Sequence, residues 1–310
     1  MRVSPRRRSL VTALLVALAA ATLGVVPTGA AAASKSGVIV AVGAENEYAS
    51  VLAQIGGKYV SVSSILDNPN TDPHTFEASP SVAEEIARAQ LVVQNGAGYD
   101  GFMNKIESAS PNAKRKVIVA QVVLDKPADT PNPHLWYSPR TMPAVATVIA
   151  KDLATLDPTH AVYFEKNLAT FNTSLRPWLQ AIAAFKASHG GTRVAVTEPV
   201  ADYLLKAMGA RILTPFVFQA DIMNGVDPAP EDISLEEGFF TKHEAKVFCY
   251  NEQVVDSLTS TIKQTALSAK VPVVGVYETM PAGYDYQTWM LAEVTAITKA
   301  ITKHRSTEKL

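Results

Sequence analysis

"DPTHAVYFEKNLATFNTSLRPWLQAIAAFKASHGG", residues 157–191, is the stretch on which the fold turns. It opens on Asp-Pro, repeats apolar residues at helical spacing and stops at Gly190-Gly191, where a helix readily ends. At about 1.5 Å per residue, some 30 such residues make a rod of roughly 45 Å, long enough to lie along a domain or to join two.

Strands alternate with helices on both sides of this rod. Before it, "GVIVAVG" (37–43), "KYVSVSSIL" (58–66), "LVVQNG" (91–96) and "RKVIVAQ" (115–121) read as β-branched strands. Between them lie helical patterns, one of which, "SPSVAEEIARAQ" (79–90), carries a Ser N-cap and Pro at its first position. After it come "TRVAVTE" (192–198), "ARILTP" (210–215), "AKVFCYN" (245–251) and "VPVVGVYE" (271–278), again separated by helical segments and closed by "YQTWMLAEVTAITKAI" (286–301). The expected class is α/β: two lobes, each a mostly parallel sheet flanked by helices, joined by one long backbone helix. The boundaries that follow are 37–156 for the N-terminal lobe, 157–190 for the linking helix and 191–304 for the C-terminal lobe.

Residues 1–33 are a secretory signal peptide by pattern: a basic start, an apolar run from Leu10 and a small-residue end near Ala33. The reading is therefore an exported protein, periplasmic or at the cell surface. No cysteine follows the apolar run, so a lipid anchor has no attachment point there. Without Arg2, Arg6, Arg7 and Arg8, the 28 Lys+Arg fall to 24 against 29 Asp+Glu, a net charge of −5. That balance gives no support to nucleic-acid binding. The single cysteine, Cys249, sits in an apolar run as a buried small hydrophobe.

Two loops share an unusual form. "DPHTFEASP" (72–80) and "NPHLWYSP" (132–139) each present Asx-Pro-His, an aromatic two residues on, and a Ser-Pro beyond. Proline fixes its own φ and restricts the residue before it, so His74 and His134 are each held at a defined angle, with Ser79-Pro80 and Ser138-Pro139 starting helices behind them. Both histidines leave the carboxyl edge of strands, where parallel sheets collect ligands. In the second lobe Glu198 and Glu278 end apolar strands, and a buried acid there wants a cation partner. Two imidazoles and two carboxylates suit a divalent transition metal, zinc or manganese. The plainer readings are surface histidines on turns and acids placed at helix N-termini. Phe76 and Trp136 read as packing residues that brace the two loops, and His160, His189, His243 and His304 as solvated.

These segments resemble the solute-binding proteins of zinc/manganese ABC importers. "TDPHTFEASPSVAEEIARAQLVVQNGAGYDGFMNKI" is similar to that family's first-ligand segment, and "NPHLWYSPRTMPAVATVIAKDLATLDPTHAVYFEKNL" to its second. "VTEPVADYLLKAMGARI" resembles the third, where members carry His or Glu and this chain has Glu198. The resemblance implies two lobes on a rigid backbone helix, with zinc or manganese bound as cargo. It also implies delivery to a membrane permease, here by a monomer with no catalytic residues. The family's fourth ligand is an Asp in a Gly-Asp-x-Tyr segment, but this chain reads Gly283-Tyr284-Asp285-Tyr286. Asp285, one residue on, and Glu278, at the strand end, are the alternatives, with Glu278 preferred for its parallel with Glu198 if their strands are neighbours. The histidine-rich acidic loop of many zinc-specific relatives is absent between His74 and His134, which leaves zinc and manganese both open. A secreted metallohydrolase with Glu198 or Glu278 as base is the rival class, but neither His-Glu-x-x-His nor Gly-x-Ser-x-Gly occurs. A surface adhesin using the metal structurally is the third.

Overall fold

The computed structural model describes residues 37–70 and 73–310, so the stretch 1–33 expected to be a signal peptide and Asp72 lie outside the described residues. The first half runs β1 (Ile39–Glu45), α1 (Asn46–Gly56), β2 (Val60–Leu66), α2 (Pro80–Arg88), β3 (Leu91–Gln94), α3 (Gly101–Ala109), β4 (Lys116–Val119), the single turn α4 (Ala120–Val123) and α5 (Thr141–Leu156). Next come α6 (Ala161–Ser174) and α7 (Arg176–His189). The second half runs β5 (Arg193–Val196), α8 (Asp202–Ala207), β6 (Arg211–Ile212), α9 (Phe216–Met223), α10 (Pro230–Thr241), β7 (Val247–Asn251), α11 (Ser257–Ser268), β8 (Val273–Val276) and α12 (Tyr286–Lys303).

The strands form two four-stranded sheets, ordered β2-β1-β3-β4 and β6-β5-β7-β8. Every pairing within them is parallel. The inner strands β1, β3, β5 and β7 are almost wholly buried, as expected where helices cover both faces, whereas the edge strand β2 carries Ser61, Ser63 and Ser64 among its apolar residues. Among the described residues no helix is long and apolar enough to cross a membrane.

The rod differs from the single helix expected at 157–190. A 3-10 turn, Pro158–His160, precedes α6, and the helix is interrupted at Leu175 before α7. Pro177 supplies the reason, because it has no N–H to return to the preceding turn. α6 packs on α1 and α5, whereas α7 packs on α12. The rod thus belongs by halves to the two lobes. One apolar core runs through all of it, from Val51, Ile55, Ile149 and Phe164 through Trp178 and Phe185 to Leu204, Val247, Trp289 and Val294.

Smaller departures follow local chemistry. The strand expected at 210–215 shrinks to Arg211–Ile212, since the Thr214 hydroxyl leaves the ladder to accept from Val196 N at 2.9 Å. β4 ends at Val119 and turns at once into α4. Ser79 and Pro80 do start α2, but α5 begins at Thr141, whose N–H reaches the Ser138 carbonyl at 3.1 Å. His160, expected to be solvated, stacks on Tyr59 and has Nδ1 2.6 Å from Asp157 Oδ2.

Candidate metal centre

The carboxyl ends of the two sheets face each other, and the two Pro-His corners meet there. His74 stands on the 3-10 turn Pro73–Thr75 beyond β2, and His134 begins the turn leading into Leu135–Tyr137. Each Nε2 lies 3.1 Å from the same atom, Glu278 Oε2. The donor atoms of these three residues all fall within 4.8 Å of one another. Ligands about 2.1 Å from a single zinc ion stand roughly 3.0–3.4 Å apart, so the spacing suits one shared ion. His134 and Glu278 are fully buried while the His74 side chain is 23% exposed, which makes His74 the open side of the centre.

Hydrogen bonds fix which nitrogen of His134 faces inward. Asn132 Nδ2 donates to the Pro199 carbonyl at 2.7 Å, so its Oδ1 is the acceptor end. That Oδ1 takes the His134 backbone N–H and lies 2.9 Å from Nδ1. Nδ1 therefore carries the proton, and neutral His134 presents the Nε2 lone pair to the centre. Burial lowers the His134 pKa, outweighing the pull of Glu278, and so favours this neutral form. Burial pushes the Glu278 carboxyl up, but the two imidazoles 3.1 Å from its Oε2 more than offset this and hold it well below the ordinary carboxylate range. The His134 Nε2 lone pair thus points at an ionised carboxylate oxygen, an arrangement that a cation relieves.

Glu278 is gripped on every side. Tyr99 OH donates to Oε2 at 3.1 Å and Asn251 Nδ2 to Oε1 at 2.7 Å. Gln253 Oε1 accepts from the backbone N–H groups of Glu278 and Thr279 at 2.7 and 2.8 Å. Tyr137, three residues beyond His134, donates its hydroxyl to the Tyr277 carbonyl at 2.8 Å and accepts from Tyr277 N at 3.2 Å. Tyr99 and Trp136 pack edge-on against the His134 ring, and Phe76 leans on Phe102.

Glu198 is buried beyond the end of β5, with its Oε1 accepting from Asn251 Nδ2 at 3.1 Å. It is not one of the three residues whose donor atoms cluster, but one amide joins it to Glu278. The strands leading to Glu198 and Glu278 are not neighbours, because β7 lies between them. Asn251, at the end of β7, fills that gap.

Asp285 is not brought to the centre. Its carboxylate caps α12, accepting from Thr288 N at 2.9 Å and Gln287 Nε2 at 3.1 Å, with Thr288 completing a capping box. Of the two oxygen donors considered for the last segment, the structure brings Glu278 to the histidines. Sequence reasoning passed over Tyr99, Asn251 and Gln253. Asn251 did carry a signal, since it ends an apolar strand just as Glu198 and Glu278 do.

Behind the centre lies a second group of acids, Glu45 at the end of β1, Glu47 in the first turn of α1, and Asp100. Burial pushes all three up, Asp100 to about 6, and the neighbouring charge of Glu278 adds to the effect on Glu47.

Residues 27–300 match the profile of the family described as "Zinc-uptake complex component A periplasmic". The chain is 28% identical over 172 residues to the manganese-binding lipoprotein MntA of Bacillus subtilis, spanning 53% of this chain and 56% of the relative. It is 27% identical over 237 residues to the manganese ABC transporter substrate-binding lipoprotein PsaA of Streptococcus pneumoniae, spanning 72% and 74%. The match to a putative metal-binding protein of Thermotoga maritima spans 61% of that protein, so the chain covers under two thirds of some curated relatives. Among solved structures, that of FpvC from Pseudomonas aeruginosa in complex with Mn2+ superposes with a TM-score of 0.70 at 21% identity, covering 86% of this chain and 99% of that one. A crystal structure of ZnuA gives 0.69 at 22% identity, covering 86% and 100%. These likenesses establish the two-lobed fold.

Proposed function

The chain belongs to the family of the periplasmic zinc-uptake component A, and from that premise we propose that it is an exported receptor for a divalent metal ion, zinc or manganese, which it delivers to the permease of an ABC importer. One observation carries the proposal: two imidazole Nε2 atoms each lie 3.1 Å from one buried carboxylate oxygen in the cleft between the sheets. His74, His134 and Glu278 hold the ion, and Glu198 supplies the fourth donor. Asp285 is left to its cap. The ion is cargo, taken up and released unchanged, and no residue has a catalytic step. A sphere closed by four protein groups suits carriage, whereas hydrolysis needs a position open to water. The permease partner rests on family membership and on the names of the relatives. All four donors come from one chain, in keeping with a monomer.

Calorimetric titration of chelator-stripped protein with zinc and with manganese tests this. One site per chain is expected, with binding lost in His134→Ala and in Glu278→Gln while the far-UV circular dichroism of the apo forms stays unchanged. Stoichiometric tight binding by either variant overturns the assignment of that residue, and no binding of either metal by the native chain overturns the proposal.

A further inference from the structure

Asn251 is fully buried at the end of β7, with its backbone N–H and both polar atoms of its side chain engaged. Its backbone N–H donates to Thr197 Oγ1 at 3.0 Å, and its Oδ1 accepts from Gln253 N at 3.0 Å. The second bond fixes the amide, since a flip would turn Oδ1 toward two carboxylates. Nδ2 carries two hydrogens, and each has a carboxylate to serve: Glu278 Oε1 at 2.7 Å and Glu198 Oε1 at 3.1 Å. Bonds of this charge-assisted kind are about twice as strong as neutral ones, so the two oxygens are held against Asn251.

The consequence is a limit on coordination. A carboxylate with both oxygens available can grip an ion with two atoms, as oxygen-rich sites of higher coordination number do. The short 2.7 Å bond turns Oε1 toward Asn251 and so aims Oε2, the atom that faces both imidazoles, at the ion, and a second contact through Oε1 would have to compete with that bond. Glu198 Oε1 is engaged by the same amide, which favours coordination through its other oxygen. Two nitrogens and one oxygen from each glutamate make a sphere of four, which suits zinc better than manganese, with its preference for about six oxygen-type donors. Building on the metal-receptor reading above, we infer that Asn251 is a positioning residue that keeps both glutamates monodentate and so biases the site toward four-coordinate, zinc-class ions.

Cobalt(II) reports coordination number directly, because four-coordinate cobalt absorbs far more strongly in the visible than five- or six-coordinate cobalt. The native chain, Asn251→Leu and Asn251→Ser are loaded with cobalt, and zinc is competed against manganese on each. The native chain should show the strong four-coordinate bands. Both variants should show weaker bands, and their zinc-over-manganese preference should fall by roughly tenfold or more, the scale on which groups orienting a ligand act. A weak, six-coordinate spectrum for the native chain overturns the inference, and this reading stands even if neither variant folds. A native four-coordinate spectrum with bands and preference unchanged in the folded variants also overturns it, while leaving the receptor reading intact. Failure of the native chain to bind zinc, manganese or cobalt stoichiometrically overturns both.

Discussion

At the scale of single residues, the centre works because each donor atom is aimed by a neighbour that does not itself touch the ion. Asn132 is the plainest case. Removing its side chain in Asn132→Ala frees His134 to take the other tautomer and unties the corner from Pro199. Metal affinity should fall by about 10- to 100-fold with the apo fold kept, as read by calorimetry beside circular dichroism. An unchanged affinity would mean that proline alone holds the ring. Protonation tests the same nitrogen from another side. Burial lowers the His134 pKa, so the folded chain leaves Nε2 unprotonated at pH values where an ordinary imidazole, near 6.5, is half charged. Metal affinity is therefore expected to be flat from pH 8 down to about 6.5 and to weaken only below that. An affinity that falls steeply between pH 8 and 7 in the native chain and still does so in His74→Gln would contradict a neutral, buried His134.

The next scale up is that of elements, where the segment carrying Glu278 is stitched to the other lobe by one face of α1. Asn46 exchanges two bonds with the backbone of Met280, at 2.8 and 2.9 Å. Four residues on, Ser50 Oγ accepts from Tyr286 N at 3.2 Å, and after four more Gln54 pairs with Gln287 through both amides. The i, i+4, i+8 spacing puts all three on one stripe of the helix. Asn46→Ala should cost about 1–3 kcal/mol of stability, since it leaves two backbone groups near Met280 unpaired, and it should speed metal release. Chemical denaturation and stopped-flow chelation measure the two effects, and a stability loss with an unchanged release rate would show that the latch is structural only. This level also shows what the sequence could and could not convey. The Pro-His corners were legible because proline acts on its immediate neighbours, and the strands because β-branched runs are local signals. The interruption at Leu175 was legible too, had Pro177 been weighed against the length of the rod. Asp285 and Glu278 were harder to separate, although Asp285-x-x-Thr288 spells a capping box. The order of the strands was out of reach, since the β6-β5-β7-β8 sequence depends on crossovers between distant segments. That is why Asn251, the residue between the two glutamates, did not stand out.

For the whole molecule, a core shared by both lobes and a divided rod make a frame whose stability responds to pH differently from the centre it holds. Burial raises the carboxyls of Glu236 and Glu293 to about 8 each, and both are far from the ordinary value in the unfolded chain. Between pH 4.5 and 8 the folded state therefore holds protons that the unfolded state has lost, and the contribution of these groups to stability declines as pH rises through that window. The slope is about 1.4 kcal/mol per pH unit for each group. His134 has the opposite sign: with its folded pKa lowered, its contribution is lost as pH falls below the ordinary imidazole value. Metal adds about 4 kcal/mol at a thousandfold excess over its dissociation constant. Two windows should then separate in melting curves of stripped and metal-loaded protein. From pH 6.5 to 8 both melting temperatures should fall together with a constant gap between them, because the frame titrates while the imidazole does not. Below pH 6.5 the gap should close as protons displace the ion from His134. Glu236→Gln and Glu293→Gln should each reduce the slope of the upper window for both forms and leave the lower one in place. If the gap instead narrows across the upper window, the frame and the centre share titrating groups, and the two windows do not separate.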